Sequence, residues 1–182
     1  MSEPKTLKSV NSALKEKFSD KKIVFGHGSP APKVVFVSEV LGEDGEKEGK
    51  PIGGKYAKEL NRLIKSAGLD KKKVYVTNVV KYRPDDDKLP TPKEIRSHST
   101  FLKDEIRSVN PQIVVTLGNL ALNGVGLRIP VENVHGQTFP LGTYKLMPTL
   151  SPSRSLGDPS KTSLLEQDFA KLKDLIKEAS EA

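Results

Sequence analysis

The sequence predicts an α/β fold, a three-layer α/β/α sandwich around a central, mainly parallel sheet of four strands. Two observations carry this. Residues 34–38 (VVFVS), 74–80 (VYVTNVV) and 112–117 (QIVVTL) are continuous apolar, β-branched runs of strand length. Such runs suit strands covered on both faces. Segments with helical spacing lie between them, and strands alternating with helices argue for parallel pairing with helices on both sides.

The elements follow in order. Leu7, Val10, Leu14 and Phe18 are spaced three and four apart and mark one face of an N-terminal helix. Gly and Pro make 26–32 (GHGSPAP) a loop before the first strand. After that strand, 41–54 reads as a long polar loop holding five glycines. Tyr56, Leu60, Leu63 and Ile64 give a helix over 55–67, with Gly68 placed to end it. A Pro/Asp loop at 84–92 precedes a helix at about 93–109. Gly118 turns the third strand into a short helix, 119–126, and 127–143 is loop-rich with short extended pieces. Residues 144–147 form the fourth strand, and a last helix spans about 162–179 through Phe169, Leu172 and Leu175. No repeat or second unit interrupts this order, so 1–182 reads as a single domain, with helices at 1–20 and 162–179 closing its ends.

Composition narrows the functional classes. Lys and Arg number 30 against 23 acids, a net charge of +7. That balance favours a polyanionic partner. With no cysteine, disulfides and thiolate metal or iron–sulfur sites are excluded. His27, His98 and His135 lie far apart and share no metal-ligand spacing, so no metal is expected. FGHG at 25–28 lacks the third glycine of a dinucleotide fingerprint, and neither a phosphate-binding P-loop nor a nucleophile elbow occurs. No run of about 18 apolar residues suggests a membrane span, and the first residues lack a secretory core. A cytoplasmic monomer is expected. Lys-rich, Cys-free composition is compatible with a thermophilic source.

In parallel sheets, ligands bind beyond the carboxyl ends of the strands. Three unusual loops leave those ends here. In the first, Glu39 precedes a glycine-rich turn, where a carboxylate can act as general base or stabilise positive charge; a solvated acidic loop is the plainer alternative. In the second, Asn78 offers a donor and an acceptor on one rigid amide, suited to reading a base edge. Lys81 and Arg83 follow it and suit phosphate contact. The third, 151–160 (SPSRSLGDPS), places Ser151, Ser153 and Ser155 beside Arg154, all able to bond phosphate oxygens. Its Leu156 is an apolar wedge candidate, and Asp158 or Ser160 a helix cap.

Together the loops resemble the uracil-DNA glycosylase superfamily, nearest its family 4, the thermophilic iron–sulfur type. That family carries G-E-A-P-G-x-x-E-D-x-x-G-x-P-F-V-G; the corresponding S-E-V-L-G-E-D-G-E-K-E-G-K-P-I-G-G at 38–54 keeps Glu39, Gly42, Gly49, Pro51 and Gly54. Its T-N-V-V-K-C-R-P-P resembles T-N-V-V-K-Y-R-P-D at 77–85, and its P-x-I-I-V-x-L-G resembles PQIVVTLG at 111–118. His135–Gly136 and Ser151–Pro152–Ser153 match its H-G and H-P-S in order. The resemblance covers about 24–176.

It implies hydrolysis of the bond joining uracil, or another deaminated base, to deoxyribose in DNA, the opening step of base excision repair. It places Glu39 at water activation, Asn78 at the base edge, and Val40 and Gly42 around the base. Ile52 stands where the family stacks a Phe on uracil, and Ser151 where its His assists the departing anion. Lys81, Arg83, Ser153, Arg154 and Leu156 would grip DNA. The cluster cysteines are missing: Tyr82 and His98 stand at two of their positions, and no cluster is expected. Loss of the aromatic ring at 52 and of His at 151 leaves a second reading open, a DNA- or damage-binding protein with weak or lost catalysis. A nucleotide-binding α/β protein is a third, which leaves the motif register unexplained.

Overall fold

The structure, a computed structural model, is described over residues 5–181. Its centre is a six-stranded sheet in the order β1-β3-β2-β4-β6-β5. Four strands run parallel: β3 (Val74–Val80), β2 (Val34–Val40), β4 (Ile113–Leu117) and β6 (Tyr144–Thr149). These are the four expected. Two short antiparallel strands extend the sheet at its edges, β1 (His27–Gly28) on β3 and β5 (Phe139–Leu141) on β6. The expected strand number is therefore corrected from four to six. Both edge pieces, two and three residues long, are too short for an apolar run of strand length to mark them.

Strand alternation splits β2 between two cores. Val34 and Phe36 face one side, where Phe36 stacks on Phe169 at 6.0 Å between ring centroids. This layer is built by α3 (Gly54–Ser66) and α8 (Pro159–Glu181). Val35 and Val37 face the other side, covered by α4 (Pro92–Val109) and α5 (Asn119–Gly124). Outside α4 lies α1 (Leu7–Lys17), which buries Val10 and Leu14 and starts at a reciprocal Thr6–Ser9 capping box. Residues 34–37 are fully buried, so the two-sided burial inferred from the unbroken apolar run holds.

Three segments differ from the loops expected. Residues 41–54 contain α2 (Glu43–Glu48). Glycines frame this helix: extended Gly42 is its N-cap, and Gly49 ends it at φ 67°. Acidic Glu43, Asp44 and Glu46 favour its positive N-terminal end. The glycine density that suggested loop is the density of caps. Likewise α6 (Val131–Val134) and α7 (Pro152–Ser155) are single turns inside expected loops. The last helix begins at Pro159, earlier than about 162, because the Asp158 carboxylate accepts from the Ser160 and Lys161 amides.

Candidate functional site

The carboxyl end of β2 opens into a cavity of about 330 Å³. That lies within the range of small-molecule pockets. Glu39, Val40, Gly42, Ile52, Tyr56 and Arg154 contribute to its wall. Strand β2 delivers Glu39 and Val40, the turn into α2 delivers Gly42, the approach to α3 delivers Ile52, and α7 delivers Arg154.

Glu39 is 8% exposed. One carboxylate oxygen accepts from the Leu120 amide at 2.9 Å, in the first turn of α5. The other lies 3.5 Å from an Arg154 guanidinium nitrogen. Burial raises the Glu39 pKa above the usual carboxylate value, while the Leu120 amide and Arg154 pull it back. The result is a desolvated base held by two favourable contacts. Its position depends on Gly118, which turns β4 into α5 at φ 100°. A Cβ there would come within 2.8 Å of the Glu39 carboxyl carbon. Only glycine meets both demands.

Asn78 pairs with Ser38 across the β2–β3 register and is 1% exposed. Its amide nitrogen donates to the Pro51 carbonyl at 2.7 Å, tying the glycine-rich segment to the end of β3. Its Oδ1 is buried without a partner. Asn78 is thus tied to Pro51, which lines the cavity, but is not itself on the cavity wall, and its unpartnered acceptor is enclosed. Ile52 is itself buried and belongs to the α3/α8 core, so it is an apolar floor rather than a projecting side chain.

The third loop divides into inner and outer residues. Ser151 is buried, with its Oγ 2.8 Å from that of Ser153, and it borders a neighbouring cavity that also includes His135 and Leu164. Ser155 is buried and donates to the Ser151 carbonyl, so it offers no hydroxyl to a phosphate. Ser153 and Arg154 are exposed at the cavity rim, and Leu156 is 42% exposed beside them.

Lys81 requires a correction. Expected at a phosphate, it is 2% exposed. Its ammonium lies 2.8 Å from Glu105 and donates to the Asn78 carbonyl at 2.7 Å. Glu105 also accepts from the Tyr75 and Thr77 hydroxyls. Lys81 therefore belongs to a closed polar network under β3 and presents no charge to DNA. The strand reading places it at the end of an apolar run but does not reveal Glu105 twenty-four residues on, which only the packing of α4 on β3 supplies. Arg83 stays near the surface, bound at both guanidinium positions by Asp87.

Where the resemblance locates cluster cysteines, the chain stacks rings. Phe18 lies against His98 at 4.4 Å between centroids and against Tyr82 at 5.6 Å, and the Tyr82 hydroxyl is 3.3 Å from His98 Nε2. Phe101 closes the group. These side chains do not fit an iron–sulfur cluster, which needs thiolates; they join α1, the end of β3 and α4 by packing. Among the described residues, no three His, Cys, Asp or Glu side chains converge as a metal site, and no helix is long and apolar enough to cross a membrane.

Several cavity residues were not singled out by the sequence, Tyr56 among them. Tyr56 reads as a core position of α3, yet its hydroxyl is 2.7 Å from Ser38 Oγ and it lines the cavity. The available signal is a tyrosine at an apolar-spaced site in the first turn after a glycine-rich loop.

A parallel sheet carrying a cavity at its strand ends, walled in part by a buried carboxylate, defines an α/β protein with a candidate ligand site beside Glu39. The sequence model of the Uracil DNA glycosylase superfamily matches residues 25–177. The chain belongs to that superfamily. It is 34% identical over 160 residues to a type-4 uracil-DNA glycosylase of Thermotoga maritima, covering 85% of this chain and 83% of that one. It is 34% identical over 161 residues to the type-4 enzyme of Sulfurisphaera tokodaii, with 82% and 73% covered. The type-4 enzyme of Saccharolobus solfataricus is 33% identical over 172 residues, with 86% and 77% covered.

Proposed function

We propose that this chain is a monofunctional DNA glycosylase that hydrolyses the N-glycosidic bond of uracil, and of related deaminated bases, in DNA, initiating base excision repair. The observation that carries the reading is the buried Glu39 carboxylate at the cavity edge, held by the Leu120 amide and Arg154. The type-4 relatives named above support the substrate.

The target base leaves the stack and enters the cavity. Ile52 and Val40 give it an apolar floor, and the Gly42 backbone lets it approach closely. Asn78 reads its edge through Oδ1. The bond between base nitrogen and sugar carbon breaks with its electron pair going to the base, leaving an oxocarbenium-like sugar. Water then bonds to that carbon, and its proton passes to the Glu39 carboxylate. The Glu39 charge also favours the developing positive sugar. At the rim, Ser153 and Arg154 contact phosphates, and Leu156 fills the gap in the duplex. Arg83 adds positive charge nearby, although Asp87 holds it. Ser151 secures the third loop through Ser153 and Ser155.

The test uses end-labelled DNA bearing one uracil, hypoxanthine or xanthine, single-stranded or opposite each partner, followed by alkali. Cleavage at uracil that is lost in Glu39→Ala and Asn78→Ala is expected. Cleavage at another base alone revises the pocket. Salt-sensitive DNA binding without any abasic product replaces the enzyme with a damage-binding protein, the reading favoured by an aliphatic residue at 52.

A further inference from the structure

We propose that the Tyr56 phenol is the hydrogen-bond donor to the departing base, the task that the sequence resemblance gives to Ser151. This rests on the glycosylase reading above.

The two hydroxyl side chains differ in their relation to the cavity. Tyr56 lines it, together with Glu39 and Ile52. Ser151 is not on its wall: it is buried, lies 2.8 Å from Ser153, borders the neighbouring cavity, and acts as a hydrogen-bond partner of the Tyr56 hydroxyl. Helix α3 fixes Tyr56 in place. Gly53 is its N-cap, and the Gly54 amide donates to Glu48 at 3.2 Å, anchoring the first turn two residues before Tyr56. The ring then packs against the α3/α8 core, while its hydroxyl meets Ser38 Oγ at 2.7 Å.

That contact leaves a proton free. Each hydroxyl has one proton and two lone pairs. Ser38 is buried on β2 and, among the described residues, its side chain has no other hydrogen-bond partner than Tyr56. When Ser38 and Ser151 donate to the two lone pairs of the phenol oxygen, the phenol proton is available to an acceptor in the cavity. Burial raises the Tyr56 pKa well above that of a free phenol, with the Glu39 charge adding to the shift, so the phenol stays protonated at neutral pH. A base leaving as an anion gathers charge on its ring and carbonyl oxygens during bond cleavage. A fixed neutral donor then strengthens its bond as the reaction proceeds, which is where a donor accelerates the step. Glu39 and Tyr56 therefore divide the work: the carboxylate serves the positive sugar and water, and the phenol serves the negative base.

The test compares wild type with Tyr56→Phe, which keeps the ring and removes only the hydroxyl. Single-turnover excision is measured on uracil-DNA and on the same DNA carrying 5-fluorouracil, whose fluorine stabilises the base anion. The thermal midpoint is recorded in parallel. We expect kcat on uracil to fall by about a hundredfold, the scale of one lost oxyanion donor, with KM little changed. The defect should shrink on 5-fluorouracil, because a better leaving base needs less help. Wild-type rates in Tyr56→Phe overturn the inference, as does an equal loss on both substrates, which marks a structural role. An inactive wild type instead removes the glycosylase reading, and this inference with it.

Discussion

Glu39 shows how one side chain is adjusted by its neighbours. Burial pushes its pKa up, and Arg154 and the Leu120 amide oppose that. A general base must be ionised, so with Glu39 in that role excision is expected to fall as pH drops through a value above the ordinary carboxylate range. Removing the Arg154 charge withdraws one opposing contact and raises the Glu39 pKa further. The acid limb of the kcat profile in Arg154→Ala is therefore expected to move to higher pH than in wild type, a shift a pH-rate series reads directly. An unmoved limb assigns that titration to another group. Glu39 was legible in the sequence as a carboxylate at a strand end, since position along a buried strand fixes which end meets the loops. Its partners were not, because Leu120 and Arg154 lie 81 and 115 positions away along the chain, and only the closing of α5 and α7 over β2 brings them in. Tyr56 escaped for a related reason: apolar spacing marks a buried ring without showing where its hydroxyl points.

At the scale of elements, the parallel strands were readable from unbroken apolar, β-branched runs and the long helices from their three-and-four spacing. The edge strands β1 and β5 and the single turns α6 and α7 lack such a signal, and contacts elsewhere in the chain decide them. The ring group joining α1, β3 and α4 is an element-level device of this second kind. His98 within it is stacked on Phe18, and burial together with the Lys81 charge lowers its pKa to about 4. In the unfolded chain a His titrates near 6.5. Between those values the unfolded state binds a proton that the folded state refuses, so stability is lost as pH falls from about 6.5 toward 4. Denaturant midpoints measured across that window should fall more steeply for wild type than for His98→Phe. Equal slopes would show that His98 is not the titrating group.

At the scale of the molecule, a charge of +7 predicts DNA affinity that weakens with salt. The surface distribution decides which cations take part. Arg154 stands exposed at the cavity rim, whereas Lys81 is enclosed with Glu105. Arg154→Ala should lower the slope of log affinity against log salt by about one. Lys81→Ala should leave that slope unchanged in whatever fraction stays folded, and should cost about 3–5 kcal/mol of stability by stranding the Glu105 charge. Salt titrations and denaturant melts on the two variants separate these roles. The reverse pattern would place Lys81 at the DNA and Arg154 in the scaffold.

The Pro51 carbonyl holds the nitrogen of the Asn78 amide and leaves its oxygen buried without a partner. An amide fixed in that sense cannot swing round to suit its guest. With Asn78 as edge reader, the free oxygen rewards a ring N–H and repels a ring lone pair. Cytosine and adenine present a lone pair at the ring nitrogen of their pairing edge; deamination to uracil and hypoxanthine places a hydrogen there. In that role, one backbone carbonyl would make the side chain a detector of that gained proton, sensitive to the history of the base more than to the size of its ring.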